Sequence, residues 1–185
     1  MQSYSSEAIL RDGASIAIRS LTPADRDHVV SVFRRMGQAS VRHRFFTSKR
    51  ELSPSDLAFL DKLASGPDVA LGAMLRDHTG ERALGIGRYV VLEDGRSAEV
   101  AFDVGDADQG RGIGTLLLEH LAAIARANRI ATFVAEVEAD NAAMLDMFGK
   151  SGFAVRETLD QRTFHIEFPT EHTERFVAAA AARER

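Results

Sequence analysis

Apolar residues follow a helical period in some stretches and a two-residue period in others, and the alternation predicts the elements. Ala8–Leu10, the Asp12-Gly13 pair and Ser15–Arg19 predict a hairpin, or a turn feeding a first strand. Thr22-Pro23-Ala24-Asp25 opens a helix whose inner face is Val29, Val30, Phe33 and Met36, ending at Gly37. Ser40 can cap a short second helix over 41–46. Ser53-Pro54-Ser55-Asp56 repeats the start pattern for a third helix, with Leu57, Leu60, Leu63 and Ala64 as its buried stripe up to Gly66. The period then changes. Val69–Leu75, Ala83–Leu92 and Ser97–Val104 read as strands joined by turns at 78–81 and at Asp94-Gly95. Ile113–Ala127 reads as a helix with Leu116, Leu117, Leu121 and Ile124 inward. Ile130–Val137 is a strand, Asp140–Phe148 a short helix, and Phe153–Thr158 with Arg162–Phe168 a closing pair of strands. Early helices, an antiparallel meander and then strand–helix–strand–helix and two strands predict an α/β fold with a mixed sheet.

Composition narrows the classes. A chain of 185 residues fits one domain with short extensions, and 45% hydrophobic with 27% charged residues is ordinary globular composition. A net charge of −4 argues against a general nucleic-acid binder and means that an anionic ligand must be held by local donors. With no cysteine, disulfides, thiolate metal sites and cysteine nucleophiles are excluded. The six histidines fall in no metal-ligand spacing, so no metal is expected. No stretch has the order of a signal peptide or the length of a membrane span, so the expected location is cytoplasmic, with no membrane partner. From Pro169 the pattern dissolves into a charged segment and an alanine run, expected to be mobile or partly helical because it has little to bury.

The stretch with most chemical content is Gln109-Gly110-Arg111-Gly112-Ile113-Gly114, between the strand ending at Val104 and the helix opening at Ile113. Strand, glycine turn, helix is a geometry for holding phosphate: glycine permits positive φ and close approach, and unsatisfied N–H groups point from a positive helix end. A turn with incidental glycines is one reading. A dinucleotide fingerprint needs a different glycine spacing and a parallel unit near the start of its sheet, and a nucleoside-triphosphate loop needs a terminal Gly-Lys-Ser/Thr, which is absent.

Gln109-x-x-Gly112-x-Gly114 matches the signature of the GNAT acyltransferase superfamily. Asn141 opens a helix about thirty residues later, and Gly149-Lys150-Ser151-Gly152-Phe153 resembles that family's entry into a late strand. The resemblance covers about residues 14–168. Within the superfamily, Ser40–Phe46 and the run from Ala98 to Leu118 are similar to bacterial protein-lysine acetyltransferases. It implies a GNAT-like, mostly antiparallel sheet of six to seven strands flanked by helices. It also divides the chain into an extension or first strand (1–13), an acetyltransferase domain (14–168) and a tail (169–185).

The resemblance implies acetyl-CoA as co-substrate and an amine acceptor, most closely a protein lysine. A small-molecule amine acetyltransferase and a non-catalytic coenzyme A-binding module are the alternatives, as monomer or homodimer. Backbone amides of Gln109, Gly110, Arg111, Gly112, Ile113, Gly114 and Thr115 would hold the pyrophosphate. Phe102, Asp103 and Val104 would edge the pantetheine, and Asn141 either bonds to it or caps its helix. A lysine amine with a pKa of about 10.4 is rarely neutral at pH 7, so a base is required. Glu99 is the leading candidate, with Glu136 and Glu138 as backups; His43 and His120 read as surface or helix residues. By strand alternation Glu99, Ala101 and Asp103 share one face, and Ala98, Val100, Phe102 and Val104 the other. Many family members carry a tyrosine acid where Phe148 stands, which leaves the acid unassigned.

Overall fold

The computed structural model describes residues 4–63 and 65–183. Ala64, expected on the third helix, lies outside the described residues. The strands are β1 (Ser5–Ile9), β2 (Ser15–Ser20), β3 (Val69–Asp77), β4 (Gly80–Val91), β5 (Ser97–Val104), β6 (Thr132–Glu138), β7 (Arg156–Asp160) and β8 (Thr163–Pro169). They form one mixed sheet in the order β1-β2-β3-β4-β5-β6-β8-β7. That is eight strands rather than six to seven, because Ser5–Ile9 pairs antiparallel with β2 along its whole length. The helices are α1 (Arg26–Arg34), α2 (Gln38–Phe45), α3 (Pro54–Leu57), α4 (Phe59–Lys62), α5 (Ile113–Ala127), α6 (Ala142–Lys150) and α7 (Glu174–Arg183). Among the described residues no helix is long and apolar enough to cross a membrane.

The chain divides into two compact units. The first spans Met1–Tyr89 and Ala101–Leu121. Leu21, Val29, Val32, Leu57, Leu60, Leu63, Ala70, Met74, Ala83 and Ile86 form its buried cluster, which seats α1, α3 and α4 on one face of β3 and β4. On the opposite face α5 lies close: a Cβ at Gly87 would be 3.1 Å from side-chain atoms of Leu117 and Leu121. The expected third helix is two pieces, since Ala58 at φ −61°, ψ −19° takes 3₁₀-like values that interrupt the α ladder. α2 also begins earlier than expected, with Gly37 as its N-cap. The Ser40 hydroxyl, expected to cap it, instead donates to Asp106 Oδ1 at 2.8 Å.

The second unit comprises Val90–Val100 and Ala122–Arg185. Its core is aromatic. Phe133, Phe148 and Phe153 each pack against Phe168 with ring centroids 5.2–5.9 Å apart. The expected strand over Phe153–Thr158 starts only at Arg156, because Phe153 is buried in this cluster and follows Gly152 at φ +85°. The expectation that the tail has little to bury overlooked Phe176. It is 5% exposed and packs against Phe153 with ring centroids 4.7 Å apart, docking α7.

Candidate functional site

The glycine turn leaves β5 through Gly105 and a 3₁₀ turn over Asp106–Asp108, then passes an extended Gln109. Gly110 and Gly112 sit at φ +76° and +91°, a region costly for residues with a Cβ. The intrahelical ladder of α5 starts with Leu116 N–H donating to Gly112 O at 3.0 Å. The N–H groups of Ile113, Gly114 and Thr115 therefore belong to the first turn, where no intrahelical carbonyl is available. With the alternating glycine backbone they make a concavity of donors suited to an anion. Gln109 differs from the expectation: its N–H donates to Asp106 O at 3.3 Å and is used by the 3₁₀ turn. Its side chain is a brace, with Nε2 at 3.2 Å from Ser40 Oγ, 3.3 Å from Asp106 Oδ1 and 3.4 Å from Val104 O.

The turn is held from behind by a carboxylate that sequence reasoning missed. Asp108, 6% exposed, lies 2.6 Å from Arg35 Nη1 and 2.7 Å from Arg111 Nη1, with Arg82 at 3.7 Å. Arg35 also donates to Ala83 O, and its own carbonyl accepts from Asp106 N–H at 2.9 Å. Arg111 was expected to add a charge beside the turn. Its Nε lies 2.6 Å from Asp12 Oδ2, so the guanidinium bridges two carboxylates and adds no uncompensated charge. The Asp12 hydrogen bond raises the Arg111 pKa, outweighing the loss of hydration that lowers it, and the same pair lowers that of Asp12. No local pattern pairs Arg35 with Asp108 or Asp12 with Arg111; the fold brings them together.

On β5 the alternation places residues as expected. Ala98, Val100 and Phe102 are buried, and Glu99 is exposed. Among the described residues the Glu99 carboxylate has no hydrogen bond or ion pair. β5 pairs in parallel with β6 over Ser97–Glu99 and Thr132–Val134, so that ladder stops at Glu99 while β5 runs on to Val104. Asp103, expected to edge the pantetheine, has its carboxylate 2.8 Å from Arg44 Nε, which leaves its strand backbone out of that pairing. The two line a pocket with Phe33, Phe45, Asp56 and Phe59. Burial raises the Asp56 pKa, but hydrogen bonds from Lys49 and Ser53 outweigh it and hold the group down at about 2. The pocket is therefore lined by two carboxylates, the two guanidinium groups of Arg44 and Arg88, and phenyl edges, with Asp103 facing Arg44 and Asp56 facing Lys49.

In the second unit, Asn141 caps α6, its Oδ1 accepting from Met144 N–H at 3.2 Å. Phe148 is 0% exposed and packed on Phe168. Glu136 stands opposite His165 on β8, with Oε1 2.6 Å from Nδ1. His120, in the first unit, lies 2.5 Å through Nδ1 from the Tyr4 hydroxyl, and burial lowers its pKa.

Comparison with known proteins matches residues 39–153 to the model of the acetyltransferase (GNAT) family. An acetyltransferase of Pseudomonas aeruginosa is 29% identical over 154 residues, covering 83% of both chains. The GNAT domain of S. lividans PAT is 31% identical with a TM-score of 0.77, covering 89% of this chain and 96% of that one. A Salmonella typhimurium protein described as an acetyltransferase, solved with acetyl-CoA, shares the fold with a TM-score of 0.67. It is 18% identical, over 85% of this chain and 95% of that one. A donor-lined glycine turn opening a helix, within a sheet of this order and a match across most of the chain, has one conclusion: this protein belongs to the GNAT acetyltransferase family.

Proposed function

We propose that the protein is an acetyl-CoA-dependent N-acetyltransferase that transfers the acyl group directly to a protein lysine in a ternary complex. The observation that carries this is the donor concavity of Gly110–Thr115 on the end of α5. There the N–H groups of Gly110, Arg111, Gly112, Ile113, Gly114 and Thr115 hold the pyrophosphate of the donor. The pantetheine runs along β5 at Phe102, Asp103 and Val104, whose backbone lies beyond the end of the β5–β6 ladder. Asn141 serves through its amide NH2, since its oxygen is engaged as the cap.

Glu99, open on its strand, takes the proton of the attacking ammonium, directly or through a water. The neutral amine adds to the thioester carbonyl, which a β5 backbone N–H polarises, the C–S bond breaks, and the second proton of the nitrogen passes to the departing thiolate or to solvent. A coenzyme A thiolate, with a thiol pKa of about 8.5 by analogy to cysteine, leaves without an obligatory acid. The buried Phe148 has no proton to give, so no acid is assigned. The lysine acceptor rests on the resemblance of Ser40–Phe46 and the strand-to-turn run to the protein-lysine branch. A second reading is a small-molecule amine, for which the pocket lined by Asp56, Asp103, Arg44, Arg88 and phenyl edges offers a place.

The test follows thiol release from acetyl-CoA in the presence of a lysate freed of small molecules, and then with small amines alone. Release with the protein fraction supports the lysine reading, and release only with small amines replaces it. Coenzyme A binding without release from any amine leaves a regulatory module.

A further inference from the structure

The N-terminal hairpin reaches the glycine turn. Its loop is tight: Leu10 N–H donates to Ala14 O at 2.9 Å, Gly13 N–H to Leu10 O at 2.9 Å, and Gly13 sits at φ +85°. Leu10 is 2% exposed, which anchors the loop in the core. From that anchor Arg11 N–H donates to Arg111 O at 3.2 Å, and Asp12 pairs with the Arg111 guanidinium. The Arg11 side chain lies against the turn itself: a Cβ at Gly112 would be 3.5 Å from both its Cγ and its Nε.

The charges at this place are not equivalent. Arg111 is held by Asp12 and Asp108, and Arg35 by Asp108. Arg11 is exposed, and its guanidinium has no ion pair or side-chain hydrogen bond among the described residues. Among the described residues Arg11 is thus a cation against this turn with no carboxylate partner, contributed by a segment outside the residues that the family model matches. A guanidinium fork matches phosphate oxygens two at a time.

We propose that Arg11 binds a phosphate of coenzyme A from the side of the hairpin, making the N-terminal strand pair part of the donor site; this rests on the acetyl-CoA reading above. Two phosphates share that chemistry, the pyrophosphate and the ribose 3′-phosphate, and the test separates them.

Equilibrium binding of coenzyme A and of 3′-dephospho-coenzyme A is measured by calorimetry on the full chain and on Arg11→Gln and Arg11→Lys, with melting curves for each. Arg11→Gln is expected to weaken coenzyme A binding by about five- to tenfold, with Arg11→Lys recovering part of it. A loss that persists with the dephospho compound assigns the pyrophosphate; a loss confined to coenzyme A assigns the 3′-phosphate. Both support the proposal. Wild-type affinity in Arg11→Gln overturns it. Absence of binding by the wild type overturns the acetyl-CoA reading as well, a distinct result. Should Arg11→Gln melt early, an Arg11→Lys variant with wild-type stability and unchanged affinity, together with an Arg11→Met variant that also binds normally, overturns it equally.

Discussion

Asp108 Oδ2 lies 2.6 Å from Arg35 Nη1 while its Oδ1 lies 2.7 Å from Arg111 Nη1, so one buried carboxylate ties the end of α1 to the glycine turn. Replacing it with an isosteric amide leaves two guanidinium groups facing a neutral oxygen and an NH2. Asp108→Asn is expected to cost about 2 kcal/mol, less than a fully buried pair because both arginines keep some water contact. A denaturant titration gives that number. Coenzyme A affinity should fall in the same variant under conditions where it remains folded, since the turn loses its backing.

The role of Glu99 predicts a pH signature. Glu99→Gln is expected to lower kcat about a hundredfold at neutral pH and to recover part of it at alkaline pH, where the acceptor amine loses its proton to solvent. Coenzyme A affinity should stay unchanged. A pH–rate profile indistinguishable from wild type removes Glu99 from the mechanism and turns attention to the Glu136–His165 pair.

Burial lowers the pKa of His120 below the ordinary 6.5, so the folded protein prefers the neutral ring more than the unfolded chain does. Above about 6.5 both states are neutral and the group has no effect on stability. As pH falls below that value the unfolded chain takes up the proton first, so stability is lost progressively until the folded-state pKa is reached. His120→Asn, compared with wild type by melting temperature between pH 7.5 and 5.5, should show a flatter slope. Equal slopes would show that the buried ring does not titrate differently from an exposed one.

The C-terminal helix is fixed by a contact that leaves no space. A Cβ at Gly152 would stand 2.6 Å from the Phe176 Cα and 2.8 Å from its N, and Gly152 is at φ +85°. The Thr173 hydroxyl also donates to Gly152 O. Gly152→Ala must therefore displace backbone as well as adopt a strained φ. It is expected to cost more than about 2 kcal/mol and to undock α7. Phe176→Ala should cost about 3 kcal/mol through loss of its ring packing. Protease protection of the tail and the denaturant midpoint check both.

Local chemistry made much of this legible in the sequence. Alternation on β5 sorted Glu99 from Ala98 and Val100 because a strand turns each successive side chain to the other face. The spacing of Gly110 and Gly112 marked a turn at positive φ for the same kind of reason: the restriction is on each residue's own backbone. The Asn141 cap and the start of α5 are likewise properties of a few neighbouring residues. Tertiary structure alone decided what each polar group meets. It spent the Ser40 hydroxyl on Asp106 rather than on a helix cap, and it paired Asp103 with Arg44. It neutralised Arg111 with Asp12 and brought Arg11 to the turn. Such pairings depend on distances between segments far apart in the chain. Hydrophobic periodicity fixes which face a residue occupies, but the partner across that face is set by how the elements pack.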